Sequence, residues 1–266
     1  MGNAATAAAD RSALLEVETT GAVLSIGLNR PTKRNALNDG IILALQDRFS
    51  HIPDGIGAVV IHGIGDHFSS GLDLSELTEH DATEGLRHSQ MWHRVFDRIQ
   101  YCRVPVIAAL KGAVIGGGLE LACAAHIRVA EPSAYFALPE GQRGIFVGGG
   151  GSVRLPRLIG VSRMTDMMLT GRVYSATEGA SYGFSQYLTE EGNAYAKAME
   201  LAARVATNAP LTNFAVLQAL PMIAEANPQT GLLMESLMAT VAQSDKEAKT
   251  RIRAFLERKT AKVKPS

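Results

Sequence analysis

At 266 residues, 46% of them hydrophobic and 20% charged, the chain holds enough apolar material for a substantial core and one or two domains. Its 26 Lys plus Arg balance 26 Asp plus Glu, which argues against the broad electrostatic attraction of a nucleic-acid or anionic-membrane binder. The two cysteines, Cys102 and Cys123, form neither a CxxC motif nor a disulfide framework, so a buried, reduced pair in a cytoplasmic protein is expected.

In chain order, residues 1–12 read as a flexible N-terminus, without the basic and then apolar segments of a signal peptide. LLEVETTGAVLSIGLNR predicts two strands turned near Gly21. IILALQDRFSHI predicts a helix, GAVVIHG a buried strand, GLRHSQMWHRVFDRIQY an amphipathic helix, and VPVIAAL a second buried strand. HIRVAE and SAYFAL are further β-like pieces. From about Gly160 the pattern turns helical: VSRMTDMMLTG, SATEGASYGF, NAYAKAMELAARVATN, PLTNFAVLQALPMIAE, GLLMESLMATVAQ and SDKEAKTRIRAFLERK. The expected architecture is α/β followed by an all-helical tail. The most apolar run, Val104 to Ile127, is interrupted by Lys111, by glycines and by Glu120, and makes a poor membrane span.

Several chemistries fail on residue type. Gly112 and Gly117 have the spacing of a phosphate loop, but Gly118 and Leu119 stand where Lys and Ser/Thr are required. Gly63-x-Gly65 is followed by Phe68 where a dinucleotide fingerprint needs a third glycine. There is no GxSxG elbow, and His88 and His93 lack metal-ligand partners at useful spacing, so they read as ordinary helix-face residues and no metal site is expected.

What glycines can do is expose backbone. Gly116–Gly118 lie between a strand and the helical pattern LELACAA, where free N–H groups and the helix dipole favour negative charge. HFSSGLDL is a second such turn. Two N–H groups converging on one oxygen would make an oxyanion hole; the alternative is that the glycines only permit tight turns. Glu120, a carboxylate in this apolar run, needs compensation or a purpose.

Four segments, NRPTKRNAL (29–37), GIGDHFSSGLDL (63–74), VIGGGLELACAAHIRVA (114–130) and YFALPEGQRGIFVGGGGSVRLPRLIG (135–160), together resemble the crotonase superfamily, the enoyl-CoA hydratase/isomerase family. The resemblance implies a spiral of β/β/α turns over residues 13–200, carrying the CoA and active sites. It also implies a helical trimerisation region at 201–266 and a homotrimer or dimer of trimers. The implied substrate is an acyl-CoA thioester, with no cofactor beyond the CoA it carries. By the same resemblance, oxyanion amides fall on Leu72 and Gly117, and catalytic carboxyls on Glu120, chiefly for the water, and Glu140, for the α-proton. Gly148 falls at the flank of the water site. Lys33, Arg34, Ala36, Ser70, Asp73, Leu74 and Lys259 fall at CoA-contacting positions, with Lys262 a further candidate. Met91, Trp92 and Phe96 on helix 84–101 are candidates for the acyl pocket, or equally for plain core.

Glu140 has a competing structural reading, since Pro139 suits a first helical position and an acid in the first turn favours the dipole. The chain also departs from the family pattern. His126 replaces the usual aspartate, Arg143 stands at a commonly apolar position, and FVGGGG replaces the usual IPGAGG. Among specialised relatives the methylthioacryloyl-CoA hydratase type is the most similar. The leading expectation is hydration of a 2-enoyl-CoA. The alternatives are another CoA-thioester enzyme on the same scaffold (a hydrolase, a hydratase/lyase or an isomerase) or a non-catalytic RNA-binding relative.

Overall fold

The computed structural model describes residues 13–76 and 81–257, so Lys259, Lys262 and the N-terminal twelve residues lie outside the described residues. β1 (Leu15–Thr20) and β2 (Val23–Leu28) form the expected hairpin, turned at Gly21, whose φ of +59° an L side chain adopts only with strain. β3 (Ala58–Gly63), β4 (Val106–Leu110), β6 (Ile127–Ala130) and β9 (Tyr187–Leu188) then add in parallel, giving one sheet of order β1-β2-β3-β4-β6-β9. β5 (Ala113–Ile115), β7 (Tyr135–Ala137) and β8 (Tyr174–Ser175) make a second, three-stranded sheet. HIRVAE and SAYFAL therefore belong to different sheets. The short strands β5, β8 and β9 were not expected, because two or three residues carry no readable period.

The large sheet is apolar on both faces because both are covered. Val59 and Ile61 of β3 face the main core with Ile26, Leu28, Phe68 and Phe96. Ala58 and Val60 face a smaller cluster with Val23, Ile107, Val129 and the inner face of the helix Ala194–Ala206. Alternation at period two thus sorts one strand's residues into two cores, and a parallel sheet so covered reads as continuous apolar runs.

Local chemistry sets the helix boundaries that matter for the site. Asn38 caps the helix Asp39–Ser50, accepting from the Ile41 N–H. Asp81 and Glu84 form a reciprocal capping box at the start of Ala82–Gln100, which buries Trp92, Val95, Phe96 and Ile99 at helical spacing. The helix Gly151–Ile159 was not anticipated, since the glycine run 148–151 at its start and an internal Pro156 obscure a helical pattern. His126 fits as a structural replacement for a carboxylate: its Nδ1 accepts from the Val106 N–H at 2.9 Å and its Nε2 lies 2.9 Å from the Gln100 carbonyl. Burial pushes its pKa down to about 4, so it serves as a neutral ring.

The chain divides into two compact units at Ala206 and Thr207. The helix Ala194–Ala206 packs on the sheet, so the first unit runs past the boundary expected at 200. The second unit holds the helices Pro210–Phe214, Leu220–Glu225, Pro228–Ser244 and Lys246–Leu256, with a π-helical turn at Ala215–Ala219. No helix among the described residues is long and apolar enough to cross a membrane.

Candidate active site

Residues 69–73 lie between two partners. Ser69 pairs in parallel with Val114, donating its N–H to Ala113, while Leu72 pairs in parallel with Leu37 through the Gly71 carbonyl and the Asp73 N–H. A parallel bridge of that kind leaves the central residue's own N–H pointing away, and the Leu72 N–H has no partner among the described residues. Nearby, β5 ends at Ile115, and Gly116, with φ +52°, turns the chain into the helix Gly117–Ala124. The Gly117 N–H is one of the unpaired donors of that helix N-terminus. The two amides adjoin: a Cβ on Gly117 would sit 3.6 Å from the Leu72 nitrogen, and one on Gly71 3.3 Å from the Gly117 nitrogen. Both residues line a cleft of about 390 Å³. Two unpaired N–H donors so placed can hold one oxygen and stabilise negative charge on it.

Glu120 follows Gly117 by one helical turn and lines the same cleft, although its side chain is almost wholly buried. Its Oε1 accepts from the Gly149 N–H at 2.9 Å and the Gly151 N–H at 2.7 Å. The glycines there make room for the carboxylate as well as a turn, since a Cβ at Gly151 would lie 2.7 Å from Glu120 Cγ. Beneath them, Arg154 donates to the Gly149 carbonyl at 3.0 Å, to Gln100 Oε1 and to Asp97 Oδ1, which fixes the loop. Burial raises the Glu120 pKa, while the amides of Gly151 and Gly149 and the Arg154 charge pull toward the anion.

Glu140 completes the pair. It precedes the 3-10 turn Gly141–Arg143, yet its side chain makes no capping hydrogen bond. Its Oε1 lies against Gly116, where a Cβ would approach to 2.7 Å, and its buried Oε2 has no partner among the described residues. Burial, reinforced by repulsion from Glu120, raises its pKa to about 7 against opposition from its own backbone N–H and from Arg143. Two carboxyls thus share one cleft: Oε1 of Glu120 is clamped by amides, and Glu140 is poised to hold a proton near neutrality. The arrangement can take a proton from one reactant and give one to another.

The other expected site residues separate. Trp92 lines the cleft, its ring edge 2.9 Å from where a Gly117 Cβ would be, whereas Met91 packs partly buried against the main core, Phe96 lies fully buried within it, and neither lines the cleft. Gly148 lines the cleft, its carbonyl accepting from Ser89 Oγ at 2.7 Å. Ser70 and Leu74 also line it. Asp73 does not. It is buried and bridges Arg30 at 2.9 Å and Lys33 at 3.1 Å; burial alone would raise its pKa, but hydrogen bonds from Ser75, Lys33 and Arg30 hold it well below the usual carboxylate range. Lys33 also donates to Ser75 Oγ at 2.8 Å, so its ammonium is tethered beside Leu74. Arg34 is exposed in a left-handed conformation, with φ +50°, and its carbonyl accepts from the Ser70 N–H; Ala36 is buried and its carbonyl accepts from Arg30.

Some contributors were not singled out from sequence. Asn35, fully buried at φ +54°, donates to the carbonyls of Ile64 and His67 and so shapes the approach to Ser69. His88, expected to be an ordinary helix-face residue, lines the cleft with Ser89 and pairs with Asp39 at 2.9 Å. The one-turn spacing of His88 and Trp92 was the available signal. Arg143, Ile145, Phe146 and Val147 complete one wall.

Comparison with known proteins agrees with this geometry. The model of the family described as enoyl-CoA hydratase/isomerase matches residues 18–265. A 2,3-dehydroadipyl-CoA hydratase from Escherichia coli is 33% identical over 91% of this chain and 95% of its own. A short-chain-enoyl-CoA hydratase from Clostridium acetobutylicum is 31% identical over 91% and 94%. Among solved structures, an enoyl-CoA hydratase from Bacillus anthracis matches at 31% identity and TM-score 0.87, covering 92% of this chain and 96% of that one. A provisionally assigned enoyl-CoA hydratase from Rhodopseudomonas palustris matches at 82% identity and TM-score 0.92, covering 96% and 98%.

Proposed function

The chain belongs to the enoyl-CoA hydratase/isomerase family, and from that premise we propose that its cleft adds water across the 2,3 double bond of a 2-enoyl-CoA thioester through two amides and two carboxyls. The thioester oxygen accepts from the Leu72 and Gly117 N–H groups, which draws charge from the double bond and makes the β-carbon electrophilic. Glu120 orients the water and takes its proton as oxygen bonds to the β-carbon. Glu140, held protonated, delivers a proton to the α-carbon as the enolate-like charge collapses. The net change is one water added, with each carboxyl returned to its starting state by proton exchange. The reaction draws on no cofactor, since CoA is part of the substrate.

The observation that carries this reading is that both unpaired amides and both carboxyls line one cleft. A second carboxyl favours hydration over isomerisation, which one carboxyl can serve, and a complete site of this kind leaves an RNA-binding role without support. The methylthioacryloyl-CoA type, the finer alternative, rests on sequence pattern alone, including the departures at His126, Arg143 and 146–151. CoA contacts are assigned to Ser70 and Leu74, with Lys33 supplying charge near its phosphates. A cytoplasmic location is supported by the two free, buried cysteines. The direct test is loss of the conjugated thioester absorbance when purified protein meets a panel of short, branched, aromatic and thioether 2-enoyl-CoAs. A hydratase turns over at least one with 3-hydroxyacyl-CoA as product; formation only of free acid, or of a shifted double bond, would contradict the proposal.

A further inference from the structure

The cleft carries one charged group that hydration chemistry leaves unused. Four of its lining residues are titratable: Glu120, Glu140, His88 and Arg143. The carboxyls are the proposed acid and base, and His88 is engaged by Asp39. Arg143 ends the 3-10 turn that follows Glu140, is exposed, and its guanidinium makes no hydrogen bond or ion pair among the described residues. Other cations near the site are committed: Arg154 to Asp97 and Gln100, Arg30 and Lys33 to Asp73. Arg143 also belongs to the wall built by residues 140–149, beside Ile145 and Phe146, whereas Lys33 is tied beside the wall that carries Ser70 and Leu74. A purely alkyl chain would have no use for a cation there, and apart from the proposed acid Glu140 the rest of that wall is Ile145, Phe146, Val147 and two glycines.

We infer that Arg143 receives an anionic group at the far end of the acyl chain, so that the preferred substrates are 2-enoyl-CoA thioesters whose acyl chain ends in a carboxylate. A guanidinium matches a carboxylate as a planar, two-pronged donor, and its position at an open mouth lets the carboxylate stay partly hydrated while it binds. The inference rests on the hydratase reading and deepens it. The carboxylate does not enter the chemistry; it fixes the far end of the chain while the thioester oxygen is held by the two amides.

The test measures kcat and KM for a 2-enoyl-CoA ending in a carboxylate and for the methyl ester of the same chain, using wild type, Arg143→Leu and Arg143→Lys. Wild type should prefer the acid by about tenfold or more in kcat/KM, and Arg143→Leu should abolish that preference mainly through the KM of the acid, whatever change in kcat the two substrates share through Glu140. Arg143→Lys should retain part of the preference, because charge survives and the planar fork does not. Equal kcat/KM for acid and ester in wild type would overturn the inference. So would an acid-over-ester preference that survives unchanged in Arg143→Leu, which would put the arginine on CoA or on Glu140 alone. If the folded wild type hydrated neither substrate nor any other enoyl-CoA, the hydratase reading itself would fail, and this inference with it.

Discussion

At Glu140 the geometry separates a capping role from a role in the cleft. Read from sequence, Pro139-Glu140 fits a helix start equally well, but the side chain caps nothing and leaves Oε2 buried without a partner. Such a group stabilises nothing by its charge. With a folded pKa raised from 4.5 to about 7, the native state holds more protons than the unfolded state between those values, so stability falls as pH rises through that window and stays reduced above it. Glu140→Gln should therefore raise Tm at pH 8, by an amount on the order of 1–3 kcal/mol in stability, and leave it nearly unchanged at pH 4. A capping role predicts a lower Tm at pH 8, so thermal melts at the two pH values separate the readings. Glu120 was legible as a charge needing compensation, because a carboxylate among LELACAA has no other account. Its compensating donors were not legible, since the amides of Gly149 and Gly151 come from about thirty residues away and only the fold brings them together.

At the scale of elements, the two turns that present Leu72 and Gly117 depend on backbone, and this separates side-chain from main-chain substitutions. Leu72→Ala should retain much of the activity, whereas Gly117→Pro removes a donor and should lower kcat on the order of 10²-fold or more. Gly151→Ala probes the same architecture from the other side. Its Cβ would press on Glu120 Cγ at 2.7 Å, so kcat should fall about tenfold or more with KM for the thioester little changed, as judged by steady-state kinetics. Wild-type turnover in folded Gly151→Ala would show that Glu120 tolerates displacement. The hairpin, the buried strands and the long helices were legible because they carry clear periods of two or 3.6 residues. The helix Gly151–Ile159 was masked by FVGGGG, where glycines that read as loop serve as packing space around a carboxylate. Met91 illustrates the converse limit: one residue from Trp92 on the same helix, it points into the core and not the cleft.

For the whole molecule, the second unit exposes Leu232, Leu233 and Leu237 on one helix and Phe255 and Leu256 on another, more apolar surface than an isolated helical unit of that size comfortably presents to water. We propose that copies of the chain cover it, as a trimer or a dimer of trimers, and light scattering at micromolar concentration should return such a mass; a monomer would contradict the assembly. The α/β core and the helical tail were both evident in sequence as a change of pattern near Gly160. The position of the division was not, because the apolar face of Ala194–Ala206 looks alike whether it covers the sheet or joins the tail. The central claim is that Glu120 and Glu140 act together on one addition of water, and the measurement that tests it most directly is kcat for Glu120→Gln, Glu140→Gln and the double variant on a 2-enoyl-CoA that the wild type hydrates. Each single change should cost roughly 10²-fold to 10⁴-fold, and the double variant should be far less than multiplicatively worse. Turnover near wild type in folded Glu140→Gln, or strictly multiplicative losses in the double variant, would contradict the shared two-carboxyl mechanism.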